Sequence, residues 1–211
     1  MTANAAVVYH QRRAEKTRSE ILKRAVDIAS AEGLEGVSIG RLATELSMSK
    51  TGIFAHFGSK EELQLATINM AKEIFVEEVV GPALKSPPGI SRLSALLQAW
   101  LSYVERSVFR GGCFFAAASA EFDSRPGKVR DKIAELTKAW VVGLEDEVRE
   151  AKKLNQLSKR VDPRQLVFEL HAYVQEANWA FKLFNDKASF ARARSAIANR
   201  IAAVENATLK G

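Results

Sequence analysis

Between Ser38 and Lys60 the apolar positions recur at helical spacing in two short runs. Ile39, Leu42, Ala43 and Leu46 fall at i, i+3, i+4 and i+7, and Ile53, Phe54 and Phe57 repeat the interval a few residues later. Ser38 and Ser49 stand just before the two runs and predict N-caps, with Ser47-Met48 as the turn between them. Gly58 predicts the end of the second helix. Ser59 with Glu62 predicts a capping box that opens a third and longer helix. Ile53, Phe54 and Phe57 are expected to hold the back of the second helix. Two short helices joined by a tight turn describe a helix-turn-helix.

The rest of the chain reads as helix throughout. Residues 1 to about 15 lack apolar periodicity and predict a segment without fixed structure. Ile21, Leu22, Ala25, Val26, Ile28 and Ala29 then form a helix that Gly33 stops. The helix after Ser59 carries Leu63, Ala66, Ile68, Ile74 and Val79 and ends at Gly81-Pro82, so residues 60–80 link the head to the C-terminal helices. Lys85-Ser86-Pro87-Pro88-Gly89 is punctuation. Beyond it come helices from about Ser91 to Ser107, from Cys113 to Phe122 after the Gly111-Gly112 break, and from Val129 to Val148 after Arg125-Pro126-Gly127. Asp162-Pro163 opens another helix, and an Ala-rich helix closes the series from about Ser189 to Ala207. The pattern predicts an all-α chain with an N-terminal three-helix domain over 1–62 and a larger C-terminal helical domain over 63–211.

The helix after Asp162 is apolar on more than one face, from Leu166 and Val167 to Phe181 and Phe184, and therefore needs two partners. We expect the last two helices, about 163–184 and 189–207, to form a four-helix interface in a homodimer, because a palindromic site requires two heads.

The recognition chemistry lies in the second helix of the motif. Its exposed start offers Ser49, Lys50 and Thr51 to base edges, and Gly52 permits close backbone approach to a duplex. Arg12, Arg13 and Lys16, in a basic stretch before the motif, predict a phosphate-contacting arm. The 211 residues carry a net charge of +6, which suits a polyanionic partner.

Composition then removes other classes. Apolar residues make up 47% of the chain, enough for a core. Lone Cys113 cannot form an internal disulfide, which predicts a reducing cytoplasm. No run approaches the length of a membrane span, and no signal-peptide pattern opens the chain. His10, His56 and His171 lie far apart without metal-ligand spacing. Phosphate-binding glycine loops and a nucleophile elbow are missing. Glu145, Asp146, Glu147 and Glu150 read as a solvated face, and Cys113 among aromatic neighbours as a buried, inert thiol. No catalytic residue, metal or cofactor is expected.

Thr17 to Met70 resembles the N-terminal DNA-binding domain of the TetR family of bacterial transcriptional regulators. The segments that carry it are Thr-Arg-Ser-Glu-Ile-Leu-Lys-Arg-Ala (17–25), Glu-Gly-Leu-Glu-Gly-Val-Ser-Ile (32–39) and Ser-Lys-Thr-Gly-Ile-Phe-Ala-His-Phe-Gly-Ser-Lys-Glu-Glu-Leu (49–63). The chain departs from the family at Ser47, where Gly or Ala is frequent, at Ala55, where a larger side chain is common, and at Gly58, which replaces a frequent Pro. The resemblance implies phosphate contacts from His56 and Lys60, with Ser38, Arg41 and Thr44 as further candidates at the DNA. It also implies a small-molecule pocket in the C-terminal helices, for which Trp100, Tyr103, Phe114, Phe122, Trp140, His171, Gln175 and Trp179 are the candidates. The implied function is a repressor that binds palindromic operator DNA as a dimer and is released by an unknown small-molecule effector. The alternative is a dimeric helical sensor whose head meets a protein partner.

Overall fold

The computed structural model describes residues 3–206, and its regular elements are helical. In chain order they are α1 (Ala3–Glu32), α2 (Ile39–Glu45), α3 (Lys50–Phe57), α4 (Lys60–Phe75), a π-helical turn (Val76–Val80), α5 (Gly81–Ala83), α6 (Ile90–Glu105), α7 (Phe114–Phe122), α8 (Lys128–Lys153), α9 (Pro163–Phe184) and α10 (Ala188–Ala202). No helix among the described residues is long and apolar enough to cross a membrane.

Helix α1 begins at Ala3, so the segment expected to lack structure up to residue 15 is helical from there. Ala, Gln, Arg, Glu and Lys are strong helix formers and hold these turns without an apolar stripe. Arg12, Arg13 and Lys16 therefore ride on exposed turns of a helix. Gly33, at φ 87°, ends α1 in a backbone region that a side chain would strain.

Helices α1 to α3 and the start of α4 enclose Ile21, Leu22, Val26, Leu42, Ile53, Phe57 and Leu63. Ser38, Ser49 and Ser59 each cap a helix by accepting from the N–H three residues on. The expected capping box at Ser59 forms only by half, because the Ser59 N–H donates to the Phe57 carbonyl instead. Phe54 does not join the back of α3 and is 52% exposed. Ile53 and Phe57 already fill the one stripe that this short helix buries, and Phe54 sits about 100° around from Ile53.

Helix α4 stops at Phe75, and the chain continues through the π turn into α5 without breaking at Gly81-Pro82. Proline is tolerated in a first helical turn, where its missing N–H has no partner to lose. The body packs α6, α8 and α9 around α4 and the π turn, with α7 wedged between α1 and α8 and with α10 laid along α9. Leu93, Leu97, Leu101, Leu144, Val148, Leu170 and Val174 are fully buried within it.

The acidic cluster on α8 is not a solvated face throughout. The Glu147 side chain is 16% exposed, accepts from the Gly89 N–H and pairs with Arg92 at 3.4 Å. Glu145 is held by Arg149. Helix α10 ends at Ala202, and Ala207 lies outside the described residues.

Candidate functional site

The exposed side of the helix-turn-helix is fixed by its caps. Ser49 Oγ accepts from the Gly52 N–H at 3.0 Å, and a Cβ on Gly52 would lie 3.1 Å from that oxygen. The small residue thus keeps the cap intact as well as leaving the surface low. Lys50 is exposed and lays its Cε 3.6 Å from where a Gly40 Cβ would stand, so a second glycine shapes its path. Thr51 is exposed beside it. Ser38 Oγ caps α2 by accepting from the Arg41 N–H, and the Thr44 hydroxyl donates to the Gly40 carbonyl.

Arg41 reaches Glu45 at 2.9 Å and Glu32 at 3.1 Å, and Arg24 binds the same Glu45 together with Asp27. This network ties α1 to α2, and a phosphate at Arg41 must compete with two carboxylates. Lys60 pairs with Glu35 at 2.7 Å, a contact that holds the Glu35 carboxyl below its ordinary range with help from Gln64. His56 is half-buried against Phe57. Lys16 makes a loose 4.0 Å pair with Glu20. Arg18 lies 5.2 Å over the Phe57 ring, which ties α1 to the end of α3.

The head joins the body through a short seam. Glu121 on α7 accepts from the N–H groups of Leu34 and Glu35, and Gly111 N–H donates to Ser30 Oγ at 3.2 Å. Arg110 pairs with Asp27 and Lys128 with Glu61, both at 2.9 Å.

A cavity of about 320 Å³ lies within the body, walled by α4, the π turn, α6, α7, α8 and α9. Of the pocket residues expected from sequence, Trp100, Trp140, His171 and Gln175 line it. Tyr103 and Phe114 do not: both are fully buried in the core, where Tyr103 packs edge-on against Phe75 and Phe109, and Phe114 against Phe115. Burial pushes the Tyr103 hydroxyl far above its ordinary range. Phe122 lines a separate cleft between α7 and α8 that shares Ser119 and Thr137 with the cavity. Trp179 is 50% exposed on the outer face of α9.

Sequence reasoning passed over Phe75, Arg92, Phe115, Thr137 and Glu147, which also line the cavity. Thr137 was findable. It sits four residues after Ile133 and three before Trp140, a polar residue on an apolar helical stripe. The Trp100, Trp140 and Phe75 rings meet edge to face, with Trp100–Trp140 at 5.5 Å and Phe75–Trp140 at 5.0 Å. His171 rests 5.0 Å from Trp100, and burial lowers its pKa, which favours the neutral ring. Burial pushes the Cys113 thiol up, so it is a poor nucleophile.

Comparison with known proteins matches this arrangement. Residues 21–67 fit the family model for bacterial regulatory proteins of the tetR family, and residues 89–197 fit the tetracyclin repressor-like C-terminal domain. The HTH-type transcriptional regulator TcmR of Streptomyces glaucescens is 28% identical over 120 residues, which is 56% of this chain. The chain spans about half of that relative, 52% of its length. A TetR transcriptional regulator from Chloroflexus aurantiacus superposes with a TM-score of 0.85 at 22% identity, covering 92% of this chain and 98% of that one. AibR, solved in complex with isovaleryl coenzyme A and operator DNA, superposes at 0.68 with 23% identity over 89% of this chain and 97% of its own. With the N-terminal helix-turn-helix and the C-terminal helical domain both matched in order, this chain belongs to the TetR family of bacterial transcriptional regulators.

Proposed function

We propose that the protein is a cytoplasmic repressor that binds palindromic operator DNA as a homodimer and is released when a small molecule fills the α4–α9 cavity. The observation that carries this reading is the double use of α4. Leu63, in its first turn, closes the core of the head, while Lys72 and Phe75, near its end, wall the cavity. Twelve residues of helix, about 18 Å, separate Leu63 from Phe75. A ligand that binds better to one tilt of α4 shifts the population of head positions by its differential affinity. The AibR complex with a small molecule and operator DNA supports the same division of labour.

Ser49, Lys50, Thr51 and Gly52 would meet base edges, with Arg12, Arg13, Lys16, Ser38, Thr44 and His56 on phosphates. Lys60 and Arg41 would join by exchanging carboxylate for phosphate. The outer face of α9 and the small exposed residues of α10 (Ala191, Ser195, Ala198) would form the dimer contact, setting the recognition helices roughly 34–36 Å apart.

Selecting duplexes with the purified protein and sequencing those retained tests the reading. A palindrome bound by two chains supports it, and failure to recover any motif at low salt overturns it.

A further inference from the structure

Within the proposed effector cavity, the chemistry of the wall specifies more than a volume. Trp140 Nε1 and Thr137 Oγ1 are buried side-chain polar atoms without a hydrogen-bond partner, whereas the Trp100 indole has the Cys113 thiol within hydrogen-bond reach. Trp140 and Thr137 both line this one cavity, one helical turn apart on α8. Buried donors are nearly always satisfied, and two unsatisfied ones side by side in a single cavity leave room for an acceptor supplied from outside the chain. An indole N–H can only donate, and a hydroxyl can do so.

The charged groups on the wall leave no site for an ion. Arg92 and Glu147 neutralise each other at 3.4 Å, with Glu147 also accepting from Gly89 N–H and Arg92 donating to the Ser86 carbonyl. Lys72 is exposed and belongs to the rim. His171 is driven toward the neutral form by burial alone. A deeply held carboxylate or ammonium would meet no uncompensated counter-charge to offset its desolvation. The remaining wall combines the rings of Phe75, Trp100, Phe115 and Trp140 with aliphatic side chains such as Val80, Leu96 and Leu136.

We propose that the effector is an uncharged aromatic molecule carrying an oxygen acceptor, held by the Trp140 indole N–H and the Thr137 hydroxyl. The rings stack within the aromatic cage, and the acceptor oxygen satisfies the unpaired donors. The assignment rests on the reading of this cavity as the effector site.

Matched probes separate shape from hydrogen bonding and charge. Xanthone has the ring system and the carbonyl. Xanthene lacks the carbonyl, xanthone-2-carboxylate adds an anion, and N-methylacridinium adds a cation. Binding is read by quenching of tryptophan fluorescence and by calorimetry on the full chain, and operator release is read separately by fluorescence anisotropy of labelled DNA. Xanthone is expected to bind about tenfold more tightly than xanthene, the worth of a good neutral hydrogen bond, and more tightly than either ion. Thr137→Val keeps shape while removing one donor, and it should narrow that gap by weakening xanthone far more than xanthene. Equal binding of xanthone and xanthene, or tighter binding of an ion, overturns the proposal. The two readings fail apart from each other. Xanthone bound in the cavity with operator affinity unchanged upholds the ligand class and sinks the release mechanism. Release by isovaleryl coenzyme A without xanthone binding does the reverse.

Discussion

The Glu121 carboxylate accepts hydrogen bonds from the N–H of Leu34, at 2.6 Å, and of Glu35, at 2.9 Å, across a separation of 87 residues from Leu34. Helix α7 thereby touches both the head and the cavity, because Phe115, Ala116 and Ser119 line the cavity while Glu121 grips the turn between α1 and α2. Glu121→Ala leaves two N–H groups without this acceptor and should destabilise the fold by about 1–3 kcal/mol. A drop of a few degrees in melting temperature per kcal/mol is expected for a chain of this size. Effector-driven release of DNA should weaken more than DNA binding itself. An unchanged release curve would remove α7 from the coupling route.

The seam also depends on a residue with no side chain. A Cβ on Gly111 would lie far inside van der Waals contact with the Ser30 carbonyl oxygen and carbon. Backbone cannot rotate away as a side chain can, so Gly111→Ala should cost at least about 3 kcal/mol in urea unfolding. Gly143 faces open space, and Gly143→Ala should leave stability equal or slightly raised.

Stability should depend on pH through His171. Burial lowers its pKa from 6.5, so in mildly acidic solution the unfolded chain binds a proton that the folded chain refuses. Stability therefore falls as pH drops through about 6.5 and levels off below the folded-state pKa. His171→Phe removes this contribution. The difference in urea midpoint between pH 7.5 and pH 5.5 should be smaller in the variant than in the parent protein.

Phe168 at 70% exposure, Trp179 at 50% and Leu183 at 62% form a stripe on the outer face of α9, and Trp179 stacks edge-on to exposed Phe184. An apolar strip of this kind is costly in water and suits a second copy. Phe168→Glu with Trp179→Glu should halve the mass in sedimentation and reduce operator affinity at least tenfold, with the helical circular-dichroism signal retained. A dimer that persists in the double variant would place the interface elsewhere.

On the head, Lys50→Ala should lower the salt slope of operator binding by about 0.9 for each phosphate that Lys50 neutralises, or relax base preference at one position if Lys50 reads a base. Phe54→Ala should change stability by less than about 0.5 kcal/mol, since the ring is already in solvent. Weakened operator binding in that variant would assign the exposed ring to the DNA face.

The chain's local signals determined the helices and most of their ends. Apolar spacing, serine caps and glycine stops act over a few residues, so Ser38, Ser49 and Ser59 cap where the sequence places them. The linear order of residues 49–63 was enough to identify the family resemblance. Tertiary structure decided the rest, because burial depends on which helices meet. Phe54 and Phe57 look alike in sequence, yet only Phe57 faces the head core. Tyr103 and Trp100 share one helix, yet only Trp100 reaches the cavity. Glu121 and Leu34 meet only because α7 packs against α1, and no local pattern records a contact across 87 residues.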